Sequence, residues 1–332
     1  MSSLYARRKI PVTVISGFLG AGKTTLVNHL IEQYPSGKIG VIVNEFGEVG
    51  IDGQLIVTEE QALVEINNGC VCCTVRADLV ASVKELLDRT KRAGAAPIER
   101  IIVETSGLAD PAPVLQTFLA DPDLRESVDL ESVVTVVDAL HFPQQIDDEI
   151  AREQVAFADT VIVNKIDLVD EPQRIAIEAK VRSLNPSAVL LNTTRSRLAV
   201  DTVLGVRRFS LPTLLAIEPD LLDDTATHDH EHDTSIQSCS LIEDGSVDST
   251  RFNRWANQLV QEQGPQLMRM KGVLNFQGEA RQFHFHSVHM LLEARPGRAW
   301  KQGETRNNRF VFIGRNLDFQ HLRESFTACL DV

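Results

Sequence analysis

Residues 17–24, Gly17-Phe-Leu-Gly-Ala-Gly22-Lys23-Thr24, follow directly on the apolar run 10–15 and precede a stretch with helical spacing. A glycine-rich turn between strand and helix, closed by Lys-Thr, admits few folds. The glycines let the backbone curl until successive N–H groups point at one anion, and the following helix presents its positive end to the same anion. The spacing predicts a phosphate-binding P-loop, with Gly17, Gly20, Ala21, Gly22, Lys23, Thr24 and Thr25 around a nucleoside triphosphate. Lys23 then reaches the β- and γ-phosphates and the Thr24 hydroxyl ligates Mg²⁺. A dinucleotide site is excluded, because Thr25 stands where its third glycine belongs.

The fold class follows from the pattern around that loop. Strand-like runs at 10–15, 39–43, 101–104, 132–138 and 160–163 alternate with helical stretches at 24–33, 76–92, 146–158 and 172–184. The strands are apolar throughout rather than alternating, as a sheet covered on both faces requires. The expectation is an α/β P-loop NTPase with a mostly parallel, doubly wound sheet, plus a smaller C-terminal α+β domain. Its boundaries are read as 1–215 for the nucleotide domain, 216–235 for a linker and 236–332 for the second domain.

Two further strand ends carry chemistry. The run 160–163 closes in Asn164-Lys165-Ile-Asp167. A carboxylate at Asp167 can accept from both N1–H and the exocyclic amine of guanine, whereas adenine would leave it unpaired. Asn164 braces that loop and Lys165 lies along the base, while Thr193 and Thr194 are weaker candidates for the last guanine-side loop. The run 101–103 closes in Glu104-Thr-Ser-Gly107. Glu104 fits a Mg²⁺-holding acid and Gly107 a backbone donor to the γ-phosphate. No glutamine follows Gly107 to orient water, so the hydrolytic base is not identified and slow turnover is expected.

Three of the five cysteines sit together, at Cys70, Cys72 and Cys73. With a net charge of −13, no signal peptide and no apolar span of membrane length, the chain reads as cytoplasmic. In a reducing compartment clustered thiols point to metal more than to a disulfide. Thiolates at this spacing select Zn²⁺ or Cu⁺ over Mg²⁺ or Ca²⁺. A fourth ligand is open between water, a partner and an acid of the segment holding Glu45 and Glu48. The remaining cysteines, Cys239 and Cys329, sit in apolar surroundings and read as packing residues.

P-loop, C-x-C-C, E-x-x-G and N-K-x-D in this order resemble the CobW-type metallochaperone GTPases. The resemblance carries Gly17 to Thr25, Cys70, Cys72, Cys73, Glu104, Gly107, Asn164, Lys165 and Asp167, with Glu45 and Glu48 in the family's N-E-F-G-E segment. It implies a GTPase that binds GTP or GDP with Mg²⁺, holds a transition metal at the cysteines and delivers it to a client metalloprotein. Zinc is the first expectation; Co²⁺, Fe²⁺ and Ni²⁺ are not separated by this spacing. A storage or sensor protein, and cobalt or iron delivery for a cobalamin or nitrile-hydratase-type system, stay open as alternatives. So does a homodimer.

Beyond residue 215 the sequence changes character. The acidic tract 219–235 carries His228, His230 and His232, a solvated linker or a weak metal-capturing one. After it, strand-like 236–242, 268–276, 281–288 and 309–314 and helical 249–262 and 318–328 suggest the second domain. Alternation in Phe283-His284-Phe285-His286 puts both histidines on one strand face, more a polar sheet surface than a metal site. Arg269, Lys271, Arg281, Arg295, Arg298, Lys301, Arg306, Arg309 and Arg315 suggest a partner-docking face; the acidic total argues against nucleic acid.

Overall fold

The computed structural model describes residues 9–34, 38–45, 62–67, 73–89, 97–206 and 236–331. By its contacts the chain divides into two compact units, residues 1–154, 158–177 and 190–209 in the first and 155–157, 178–189 and 210–332 in the second.

The first unit is built on a seven-stranded sheet in the order β3-β2-β4-β1-β5-β6-β7. Its strands are β1 (Ile10–Ser16), β2 (Ile39–Glu45), β3 (Ala62–Asn67), β4 (Arg100–Glu104), β5 (Val128–Asp138), β6 (Thr160–Asn164) and β7 (Val189–Asn192). Every pairing from β3 across to β6 is parallel. β1 and β5 are Val- and Ile-rich and buried along nearly their whole length, the expected state of central strands covered on both faces. Leu26, Val27 and Leu30 of the helix Lys23–Gln33 pack with Ile15, Val41, Ile102, Val134 and Ile162 into one core. From β1 the chain runs outward to β2 and returns through β4, then crosses to β5 on the opposite side. That reversal opens a crevice at the carboxyl ends of β1, β4 and β5, where open α/β sheets bind ligands.

The second unit contains an antiparallel sheet in the order β12-β11-β10-β13-β8. These are β8 (Ile236–Asp244), β10 (Leu267–Leu274), β11 (Arg281–Val288), β12 (Leu291–Ala299) and β13 (Asn307–Arg315); β9 (Ser246–Val247) and β14 (Leu330–Asp331) form a separate ribbon. Helices Ser249–Gln263 and Phe319–Thr327 each start on an aspartate, Asp248 and Asp318, that accepts a backbone N–H of the first turn. Phe252, Trp255, Leu259, Leu322 and Phe326 from these helices meet Met270, Leu274, Phe285, Phe310 and Phe312 of the sheet. The aromatic contacts are mostly edge-to-face, Phe310 on Phe326 at 4.9 Å and Phe252 on Phe285 at 5.1 Å between centroids.

The architecture is the expected one, with further elements that the sequence pattern did not mark. β3 and β12 are edge strands, short or interrupted by Pro296-Gly297, and such composition does not announce a strand. The helix Ala112–Ala120 is mostly apolar, with Gln116 and Thr117 its polar residues. Arg269 and Lys271 correct the reading of a basic docking face: both are 1% exposed, so they contribute nothing to an accessible surface. Cys239 packs against the core and Cys329 is buried in it, where burial pushes its thiol up to about 11. The tract 216–235, with His228, His230 and His232, lies outside the described residues.

Candidate functional site

The residues between β1 and the helix Lys23–Gln33 adopt conformations that only glycine accepts without strain. Gly17, Gly20 and Gly22 have φ of 137°, 73° and 105°. At Gly22 space is also decisive, because a Cβ there would lie 2.5 Å from Asn164 Nδ2. The helix begins with no side-chain cap and no acid in its first turn. Its orphan N–H groups and dipole are thereby left to an anion. Lys23 is buried to 8% exposure, and its ammonium donates to Phe18 O at 3.2 Å across the loop.

The parallel register sets Ile15 beside Glu104, so the acid ends its strand next to the P-loop. Glu104 is 2% exposed and its Oε1 accepts the Thr24 hydroxyl at 2.7 Å. A hydroxyl and a carboxylate are hard oxygen donors, the chemistry Mg²⁺ takes. The donor set therefore fits that ion.

β6 delivers the N-K-x-D segment to the same sheet edge. Asn164 is 2% exposed; its Nδ2 donates to Ala21 O at 2.9 Å and to Ser196 Oγ at 2.9 Å, and its Oδ1 accepts Ser196 N–H at 2.9 Å. Ser196 Oγ donates in turn to Gly22 O at 3.0 Å. The segments after β6 and β7 and the glycine-rich loop are thus tied by buried hydrogen bonds. Lys165, held at φ 62°, donates to Gly20 O at 2.9 Å and to Asp138 Oδ2 at 2.6 Å. Asp167 sits exposed on the 3-10 turn Ile166–Leu168. Thr193 is structural: its hydroxyl donates to Arg197 O at 2.7 Å.

Two contributors escaped the sequence reading. Ser196 lies two residues past Thr194 and is itself the second of two consecutive left-handed residues, Arg195 and Ser196, that no motif marks. Asp138 ends β5 beside Asn164 and accepts from Lys165, from the Leu140 N–H at 3.0 Å and from His141 Nδ1 at 2.9 Å. Burial pushes its carboxyl up, but hydrogen bonds from Lys165 and His141 outweigh that, so it stays below the usual aspartate value. An acid closing a buried strand, as Glu104 does, was the available signal.

The proposed metal residues are mostly out of view. Glu48, Cys70 and Cys72 lie outside the described residues, as do the side chains of Glu45 and Cys73. The backbone shows that Glu45 ends β2 opposite Asn67, the last residue of β3, and that Cys73 opens the helix Cys73–Arg89. β2 and β3 therefore end side by side, and β2 in turn pairs Val43 with Glu104. Among the described residues no group of three or more His, Cys, Asp or Glu side chains can hold a metal. His284 and His286 fall on one face of β11 as expected, and His286 pairs with Glu293 at 3.1 Å.

Residues 11–192 match the sequence profile of the CobW/HypB/UreG nucleotide-binding domain, and residues 236–330 that of the cobalamin synthesis protein CobW C-terminal domain. This chain belongs to the CobW/HypB/UreG family. Among its relatives are the zinc chaperone YjiA of Escherichia coli, 32% identical over 96% of this chain and 98% of the other, and the zinc chaperone CobW of a Sinorhizobium species, 30% identical over 96% and 97%. The crystal structure of Zn(II)-bound YjiA GTPase from E. coli superposes with a TM-score of 0.72 at 26% identity, covering 97% of this CobW-family chain and 99% of that one.

Proposed function

We propose that this chain is a GTP-hydrolysing zinc metallochaperone. GTP binds at the carboxyl ends of β1, β4 and β6, zinc is the cargo of Cys70, Cys72 and Cys73, and its transfer to a client metalloprotein follows the nucleotide state. The observation that carries the nucleotide half is the Thr24–Glu104 hydrogen bond of 2.7 Å beside an uncapped helix start. It joins the two groups that would hold Mg²⁺ at the place where phosphate oxygens are received. Mg²⁺, when bound, screens the negative charge of the phosphates. Lys23 neutralises the β- and γ-phosphates, the loop N–H groups hold them in place, and Gly107 N–H meets the γ-phosphate. Asp167 accepts from guanine, Asn164 locks the guanine-side loop to the P-loop, and Lys165 keeps its stem along the base. The relatives named as zinc chaperones support the choice of cargo.

The coupling between the two halves has a short path. β4, which carries Glu104, pairs with β2, and β2 pairs with β3, from whose end the chain continues to Cys70. A shift of the β4 end between GTP and GDP states can therefore reach the segments around the thiolates. In this reading residues 1–215 are the GTPase domain, 216–235 a linker and 236–332 the C-terminal domain, a division supported by the matched ranges 11–192 and 236–330.

The test is turnover of GTP and ATP in Mg²⁺, with and without zinc, for the wild-type chain, Lys23→Ala and Glu104→Gln. Hydrolysis of GTP but not ATP, lost in both variants and on chelation of Mg²⁺, is the expected result. Equal turnover of the two nucleotides, or turnover indifferent to Lys23→Ala, overturns the proposal.

A further inference from the structure

The helix Glu149–Phe157 sends one buried polar side chain, Gln154, toward the loop after β4. Gln154 is 1% exposed, and its Nε2 donates to Gly107 O at 3.1 Å and to Ala109 O at 3.2 Å. A primary amide has two N–H hydrogens, so one goes to each carbonyl and the donor is saturated. The glutamine is itself fixed to the sheet, because its backbone carbonyl accepts the Thr135 hydroxyl at 2.7 Å. On its other side the loop presses on the P-loop: a Cβ on Gly107 would lie 2.8 Å from Leu19 N and 2.9 Å from Leu19 Cα. The segment 105–110 is thus held from two directions, by the P-loop backbone and by one amide. Fixing the carbonyls of Gly107 and Ala109 fixes the planes of the peptides that follow them, since each peptide unit is rigid.

We infer that Gln154 is a positioning residue for this loop, holding the backbone from Gly107 to Asp110 where a γ-phosphate is received and thereby setting the discrimination between GTP and GDP. The inference rests on the GTPase reading above. A donor already in place costs nothing to arrange when triphosphate arrives, whereas a loosened loop must be ordered by the ligand. GDP lacks the phosphate that the loop meets, so its affinity is insensitive to the anchor.

The experiment compares wild-type chain with Gln154→Met, Gln154→Glu and Gln154→Asn. Readouts are Kd for GDP and for a non-hydrolysable GTP analogue, kcat and KM for GTP, and thermal melting. Methionine keeps the volume and removes both donors; glutamate keeps the shape and turns an acceptor toward two carbonyls. The expected result for both is a GDP Kd within twofold of wild type, analogue affinity and kcat down tenfold or more, and the larger loss for glutamate. Asparagine, polar but shorter, retains part of the anchor and falls between wild type and methionine; it carries the comparison if the other two variants melt early. Full activity in Gln154→Met would mean that the side chain only fills space, and equal losses for GDP and analogue would mean a general packing role; either overturns the inference. A wild-type chain that binds neither nucleotide overturns the GTPase reading itself, whereas wild-type discrimination unchanged in all three variants overturns the Gln154 inference alone.

Discussion

Replacing Asn164 by alanine tests how firmly the N-K-x-D segment and the P-loop act as one piece. The side chain makes three buried hydrogen bonds, with Ala21 O, Ser196 Oγ and Ser196 N–H, each at 2.9 Å. At about 1 kcal/mol net for each bond, the variant loses on the order of 3 kcal/mol, a hundredfold or so in an equilibrium constant. The loss divides between folding of the nucleotide-free chain and GDP binding, because both states need the loops joined. The sum of the two, read by denaturant unfolding and by calorimetric titration of GDP, is the quantity to compare with wild type. Ser196→Ala removes two bonds, the one from Asn164 and the one to Gly22 O, for about 2 kcal/mol. The bond they share is counted once in the double variant, which should lose about 4 rather than 5 kcal/mol and so show a coupling near 1 kcal/mol. A summed loss below about 1 kcal/mol in Asn164→Ala, or strict additivity in the cycle, would refute the reasoning.

Two further outcomes follow from the geometry. Asp167→Asn turns amide hydrogens toward the two guanine donors, so GDP affinity should drop on the order of a hundredfold and xanthosine diphosphate should bind better than GDP; titration of both nucleotides decides it, and retained GDP preference counts against the guanine assignment. Both tryptophans, Trp255 and Trp300, lie in the second unit, so their fluorescence reports that unit alone. There burial, with His286 and Arg298 nearby, pushes His284 down from 6.5 to about 4, so the folded state keeps it neutral. Its contribution to stability is complete above pH 6.5 and is lost as pH falls toward 4. Glu293 acts in the same direction lower down: burial raises its carboxyl, but hydrogen bonds from His286 and Arg295 bring it to about 2, so its contribution drains away below 4.5. Denaturant midpoints followed by tryptophan emission should therefore fall between pH 7 and pH 5. His284→Phe should flatten that fall, and a midpoint independent of pH in wild type would contradict it.

What the sequence made legible was what close packing writes locally. β1, β5 and β6 read directly as apolar runs because both faces of a parallel sheet are covered, and the P-loop glycines read because their conformations exclude other residues. β12 did not read, since an edge strand tolerates Pro296 and charge on its open side. Asp138 with Lys165, Ser196 with Asn164 and Gln154 with Gly107 stand 27, 32 and 47 residues apart in sequence, joined by hydrogen bonds that only the topology creates. Arg269 and Lys271 mislead for the converse reason: composition gives their charge and says nothing of their burial.

The central claim is that nucleotide state and zinc binding are linked, and linkage is reciprocal, so one affinity measured in two states tests it. Zinc affinity should be measured by competition with a chromophoric chelator, once with GDP and once with a non-hydrolysable GTP analogue. A second chain with Cys70, Cys72 and Cys73 changed to alanine serves as the reference. The account predicts affinities that differ by at least fivefold between the two states, a coupling of about 1 kcal/mol, with the difference gone in the alanine chain. Equal zinc affinity in both nucleotide states, or a difference that survives loss of the three cysteines, would contradict it.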